Sequence, residues 1–376
     1  MPPPTDLPST AFPAISPTAD RTIPTATSEP VDVPITPTAA LATPVPGLAT
    51  PGPLAALAID PGEVVLELPQ GTDSGQVGIL DSGEGPTSFR IGADGTIRIL
   101  DAVNRRLLFF TPNGTQQRSL ALNEFDILTD FIVNGQGEAF VYGMNRNGPT
   151  IIRYSQGGDV LEQLPVSPGL FANAISFNGE GDLLLTRDNT EFWVIRRRDT
   201  FVPTIIQPLT RQQGAVTPRS PVVFRTIREE SANGTPQVTL QIESFSGGVN
   251  SDSFALVGAY AMNVPESWHF LNVDRAMDLY FISDFDTQPT STIDIWRVSA
   301  QGEPIGGVRI ASECAIDWRR IYVDQAGSAW TFCQSSSGVT VKRYGLRDPQ
   351  GQPLPAAAAT PPDDSPWRPG RRFSAA

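Results

Sequence analysis

The stretch RIGADGTIRILDAVNRRLLFFTPNG, Arg90 to Gly114, decides how this chain is read. A short β-rich run ends at Ala93-Asp94-Gly95. A second, Thr96–Leu100, ends at Asp101-Ala102-Val103-Asn104, and a third, Leu107–Phe110, ends at Thr111-Pro112-Asn113-Gly114. Asp, Asn, Pro and Gly between β-branched, leucine and aromatic runs punctuate strands. Three strands joined by two turns cannot bury a hydrophobic face alone, so this unit needs partners.

The rest of the sequence supplies them. A Ser or Thr with Gly three residues later recurs at Thr111–Gly114, Ser155–Gly158, Ser244–Gly247 and Ser299–Gly302, each after a β-rich run. There the hydroxyl can bond the turn backbone and the glycine can adopt positive φ. The first turn of the opening stretch is echoed at Ile132–Tyr142, Ser176–Thr186, Asn272–Ile282 and Tyr322–Phe332. A divergent unit, Val222–Ser244, fills the remaining gap. About six units result, with anchors about 42 to 55 residues apart. That period, with three or four short strands per unit, predicts an all-β fold: a β-propeller of about six blades. The last unit lacks an outer strand, and the lone run Glu63–Leu68 precedes the first unit. The expectation is that this N-terminal strand completes the last blade and closes the ring.

Within the first unit, GPTSFRIGADGTIRILDAVNRRLLFFTPNGT (Gly85–Thr115) resembles an NHL repeat: Gly-Pro, inner strand, Asp-Gly turn, strand, Asp-x-x-Asn-Arg, strand, Asn-Gly turn. The other units keep the strand rhythm and glycine turns but not Asp-x-x-Asn-Arg. The resemblance implies the fold and leaves the activity open, because propellers host many functions. Asp101 and Asn104 are expected to cap a tight loop.

Both ends differ in kind. Residues 1–60 are dominated by Pro, Thr, Ala and Ser and are expected to form a disordered, semi-stiff linker or stalk. Residues 353–376 are Pro/Ala-rich and are expected to form a disordered tail, leaving 61–352 as the propeller. Pro/Thr-rich stalks resemble those of bacterial cell-envelope proteins, which suggests an extracytoplasmic or cell-surface place. No signal peptide is visible at Met1-Pro2-Pro3-Pro4. No apolar run is long enough to span a membrane.

Charge narrows the partners. The formal net charge is −13, opposite to what a phosphate backbone requires, so nucleic acid is not expected. A protein or glycan partner fits better, with the chain expected as a monomer. There is one histidine, His269. NHL-type lyases that cleave amidated peptides need several metal-binding histidines, which a single one cannot supply.

Loops entering the inner strands should cluster at one mouth of the channel. They carry Glu84, Asp126, Asp130, Asn173, Glu266, His269, Glu313 and Asp317. Of these, Glu84, Asp130, Asn173, Glu266, Glu313 and Asp317 are oxygen donors that could converge on Ca²⁺, as in gluconolactonase-like propellers that hydrolyse esters. They could equally be solvated loop residues. His269 reads as a packed structural residue. Trp268 and Trp318 are candidate interface anchors or core residues. Cys314 and Cys333 fall on that same face, as a disulfide or as two buried thiols. Asp284, Asp286 and Asp294 read as an acidic surface loop. Three functions follow as expectations: a non-enzymatic binding or scaffold propeller, a Ca²⁺-dependent lactonase or esterase, and a glycan-binding propeller. No catalytic residue is assigned.

Overall fold

The computed structural model describes residues 58–170, 172–177, 183–187, 191–196, 215–216, 222–230, 236–247, 252–263, 269–274, 276, 278–283, 292–299, 304–311 and 320–356. They belong to the second of two compact units, Thr43–Ala376; the first, Met1–Ala42, lies outside them. They contain no α-helix.

Two strands come before the first repeat: β1 (Ile59–Asp60) and β2 (Glu63–Pro69). The first sheet is β3 (Ser88–Ile91), β4 (Ile97–Asp101), β5 (Arg106–Phe110) and β6 (Gln116–Ala121). The second is β7 (Ile127–Val133), β8 (Ala139–Asn145), β9 (Gly148–Tyr154) and β10 (Val160–Pro165). The third is β11 (Ala174–Phe177), β12 (Leu183–Arg187) and β13 (Glu191–Arg196). The fourth is β14 (Ala215–Val216), β15 (Val222–Glu230), β16 (Pro236–Gly247) and β17 (Asp252–Asn263). The fifth is β18 (His269–Val273), β19 (Leu279–Ser283), β20 (Thr292–Val298) and β21 (Pro304–Ala311). The last is β22 (Ile321–Val323), β23 (Ala329–Ser335) and β24 (Gly338–Tyr344). Each is an antiparallel meander, the blade of a β-propeller.

The blades cohere through faces that are apolar on both sides. Phe89, Ile97, Ile99 and Leu108 of the first sheet share a core with Leu66, Trp330, Phe332 and Val341 of the last. The opposite face, with Leu100, Leu107 and Phe109, packs on Phe131, Val141 and Tyr154 of the second sheet. Phe140, Tyr142 and Ile151 of the second meet Ile175, Leu183 and Leu185 of the third. Tyr280, Ile295 and Ile310 of the fifth meet Ile321, Val323 and Tyr344 of the last.

Local turn chemistry explains the recurrence. At the first turns, Oδ1 of Asn134, Asp274 and Asp324 accepts backbone N–H bonds from residues two and four positions on. Gly95, Gly137 and Gly327 close three such turns at φ of 77°, 79° and 84°. At the third turns, Thr111 Oγ1 accepts from Thr115 N and Ser155 Oγ from Gly157 N and Asp159 N. The expected turn at Ser244–Gly247 is a correction. Those residues continue β16, with Ser244 paired to both Val222 and Ala255, and twelve-residue strands replace the shorter rhythm. Asp294 is a second correction. It is a buried residue of β20, and both its oxygens take the Arg309 guanidinium at 2.7 Å. Asp284 and Asp286 lie outside the described residues.

The expected lone strand pairs where its sequence position suggested. β2 runs antiparallel to β24 as the outer strand of the last sheet, with Leu66 and Leu68 buried. β1 adds a second attachment, parallel to β21 of the fifth sheet. The other end returns to the same strand. Arg347 and Gly307 exchange two backbone bonds at 2.8 Å, and Leu354 packs into the fifth–last core. Among the described residues, strand and bridge pairing runs from Ile59 to Pro353.

Candidate functional site

Short inner strands bring polar side chains from different blades together. Asp130, 2% exposed on β7, is the centre of one such group. Its Oδ1 accepts from Ser88 Oγ of β3. Its Oδ2 accepts from Arg90 Nη2 at 2.6 Å and from the backbone N–H of Ile175 on β11 at 2.9 Å. One carboxylate thus ties three successive inner strands, and protein donors engage both its oxygens.

The other expected ligands do not gather round it. Glu84 stands exposed in the turn closed by Gly83 N and Leu80 O, and Asp126 is exposed beside Met144. Asn173 is half-buried, its N–H donating to Thr186 O. Glu266, Glu313, Asp317, Trp268, Trp318 and Cys314 lie outside the described residues, as does the side chain of His269, whose backbone opens β18. Among the described residues no three His, Cys, Asp or Glu side chains form a metal-sized group. Cys333 is disulfide-bonded.

A second polar group is built on Asp101, fully buried at the end of β4. Its Oδ1 accepts from the N–H of Asn104, the loop cap expected from sequence, and also from Gly78 N. Its Oδ2 accepts from Asn104 Nδ2 and Arg106 Nε, each at 2.9 Å. Asn104 reaches on to Gly71 O, and Arg106 to the carbonyls of Thr72, Asp73 and Gln76. The distinctive motif of the first unit therefore grips the segment 71–78 that crosses from the last blade to the first.

The face on which the inner strands begin carries exposed apolar groups. Ile127, 56% exposed, and Met144, 43% exposed, sit directly opposite each other on β7 and β8. Leu80, 45% exposed, belongs to the loop leading into β3. Gln334 Nε2 donates to Gly83 O and so fastens that loop to the last blade. Sequence reasoning missed this patch, for Ile127 and Met144 stand near strand ends and Leu80 in a loop, where alternation no longer separates buried from exposed positions. No helix among the described residues is long and apolar enough to cross a membrane.

No protein-family model matches the chain, and no curated protein matches it. Solved structures of propeller type do, distantly. A functionally unknown protein from Desulfotomaculum acetoxidans is 13% identical, with a TM-score of 0.40 over 75% of this chain and 87% of that one. Virginiamycin B lyase from Staphylococcus aureus is 12% identical, with a TM-score of 0.37 over 69% of this chain and 84% of that one. The WD40 domain of Neurospora crassa Pan2 is 9% identical, with a TM-score of 0.39 over 68% and 74%. Likeness this remote assigns no activity.

Proposed function

We propose that this chain is a binding propeller, an NHL-like ring of six blades that presents one face to a protein partner. The observation that carries the reading is the exposed Ile127–Met144 pair, with Leu80 on the same face. Apolar side chains at a rigid, polar-rimmed surface are what interfaces use as anchors. The neighbouring charged groups serve the fold: Asp130 is satisfied by three donors from two other blades. A place outside the cytoplasm is supported by the disulfide-bonded Cys333, with Cys314 the only other cysteine of the chain, and by the Pro/Thr-rich composition of residues 1–60.

The test uses the full chain immobilised as bait against a cell-envelope extract, alongside the double variant Ile127→Asp, Met144→Glu. A partner retained by the native chain and lost by the variant, at unchanged melting temperature, supports the reading. Equal retention by both chains overturns it. Saturable Ca²⁺ binding with ester or lactone turnover would move the protein to the hydrolase class instead.

A further inference from the structure

One cross-strand row stands apart in charge. Arg90, Arg98, Phe109 and Arg118 are successive Cα partners across β3, β4, β5 and β6. Directly opposed residues point to the same face of a sheet, so three arginines and one ring share the face that looks toward the second blade. Like charges so placed repel one another unless something compensates them.

Only the first is compensated. Arg90 holds Asp130 at 2.6 Å. Arg118 lays its guanidinium 3.7 Å from the centroid of the Phe109 ring and donates to the carbonyl of Gln156 in the second blade. It faces no carboxylate among its described contacts. The Tyr322 phenol raises the proton affinity of Arg98, but the carboxylate within its ion-pair reach is Asp94, at 3.9 Å and 67% exposed. A contact so long and so wet is worth little. The Nε of Arg98 is buried and has no hydrogen-bond partner. Burial, the largest influence on each, lowers the proton affinity of both Arg98 and Arg118, and their mutual repulsion lowers that of Arg118 further. A buried charged donor without an acceptor is costly, yet this chain carries 40 acidic residues from which a partner could have been drawn.

The missing partner has definable chemistry. It must be negative and must offer several acceptor oxygens in different directions to two guanidiniums that rise from strands two apart. It must also enter beside the turns Gly92–Thr96 and Ser155–Asp159, at the opposite end of the blades from Ile127 and Met144. Guanidinium forks match tetrahedral oxyanions in this way. We propose that Arg98 and Arg118 form a binding site for a small tetrahedral oxyanion, phosphate or sulfate, on the face of the first blade turned toward the second. The site is independent of whatever the other face binds.

The full chain is titrated with sodium phosphate and with sodium sulfate by calorimetry, at ionic strength held constant with chloride, and its melting temperature is followed in parallel. The expected result is saturable heat and a melting temperature that climbs about 2–5 °C to a plateau. Arg98→Met should abolish both, and Arg118→Gln should weaken binding roughly tenfold. Without oxyanion, Arg98→Met should melt no lower than the native chain, because it removes an orphaned charge. Arg146→Gln, an exposed arginine on the other face, should keep the full response. Should Arg98→Met fail to fold, the native titration and Arg118→Gln decide the matter. Absence of saturable heat overturns the site. So does a shift that rises linearly with salt and is identical in the Arg98 variant, since both salts stabilise proteins generally by exclusion from their surface.

Discussion

The carboxylate of Asp130 accepts the backbone N–H of Ile175 at 2.9 Å while holding Arg90 at 2.6 Å, so the second blade is bonded to both of its neighbours through one side chain. Removing one member of such a group leaves the others stranded. Asp130→Ala should destabilise the chain by about 3 kcal/mol, a figure reduced for the partial exposure of Arg90. Arg90→Met should cost less, because Asp130 keeps Ser88 and Ile175. Urea unfolding of both single variants and the double variant measures this. Additive effects would mean that the pair is not coupled.

The grip of Asn104 on Gly71 gives a more local expectation. Asn104→Ala loses the bonds to Gly71 O and Asp101 Oδ2 and should cost about 1–2 kcal/mol. The effect should concentrate in the crossing segment, whose Gly71 and Val77 amides bond Val77 O and Pro69 O. Hydrogen exchange at those two amides should speed at least about tenfold, with Ile151 and Leu184 unchanged. Uniform acceleration would show that the clamp is no separate element.

What sequence reveals here is what local chemistry fixes. Asn134, Asp324, Thr111 and Ser155 bond their own turns within four residues, so their roles can be read from spacing. Glu63–Leu68 was legible by subtraction, as one spare strand and one blade short of a strand. Ser244–Gly247 has the letters of a turn, but pairing on both sides carries β16 through it. Local preference yields to cross-strand bonding there. Asp130 illustrates the other limit. Its loop position suggested a ligand, while its partners lie 40, 42 and 45 residues away, and no spacing rule reaches that far.

Attachment of β2 depends on a close approach at Gly338. Its φ is 155°, and a Cβ there would lie 2.2 Å from the carbonyl oxygen of Leu68. Backbone cannot yield as a side chain tip does, so Gly338→Ala should push β2 off β24 and expose Leu66 and Leu68. A loss of about 2–4 kcal/mol is expected. Limited proteolysis should then cut within Glu63–Pro69 in the variant and spare it in the native chain. Equal resistance in both would show that β2 does not rely on that contact.

Buried phenols set the alkaline limit of the fold. Burial, before any other influence, raises the proton affinity of Tyr142, Tyr154, Tyr280 and Tyr322. Glu124 adds to it for Tyr154 and Asp274 for Tyr280, whose hydroxyls donate to those carboxylates at 2.8 Å. In the unfolded chain the same phenols ionise near pH 10. A group that keeps its proton more tightly when folded contributes stability that is intact below the unfolded value and is lost as pH rises above it. Stability should therefore be flat through pH 9 and fall beyond about pH 10. The rise in absorbance at 295 nm from these four phenols should come only as circular dichroism reports unfolding. A single titration with an ordinary midpoint, completed while the strands remain folded, would mean that these hydroxyls are open to solvent.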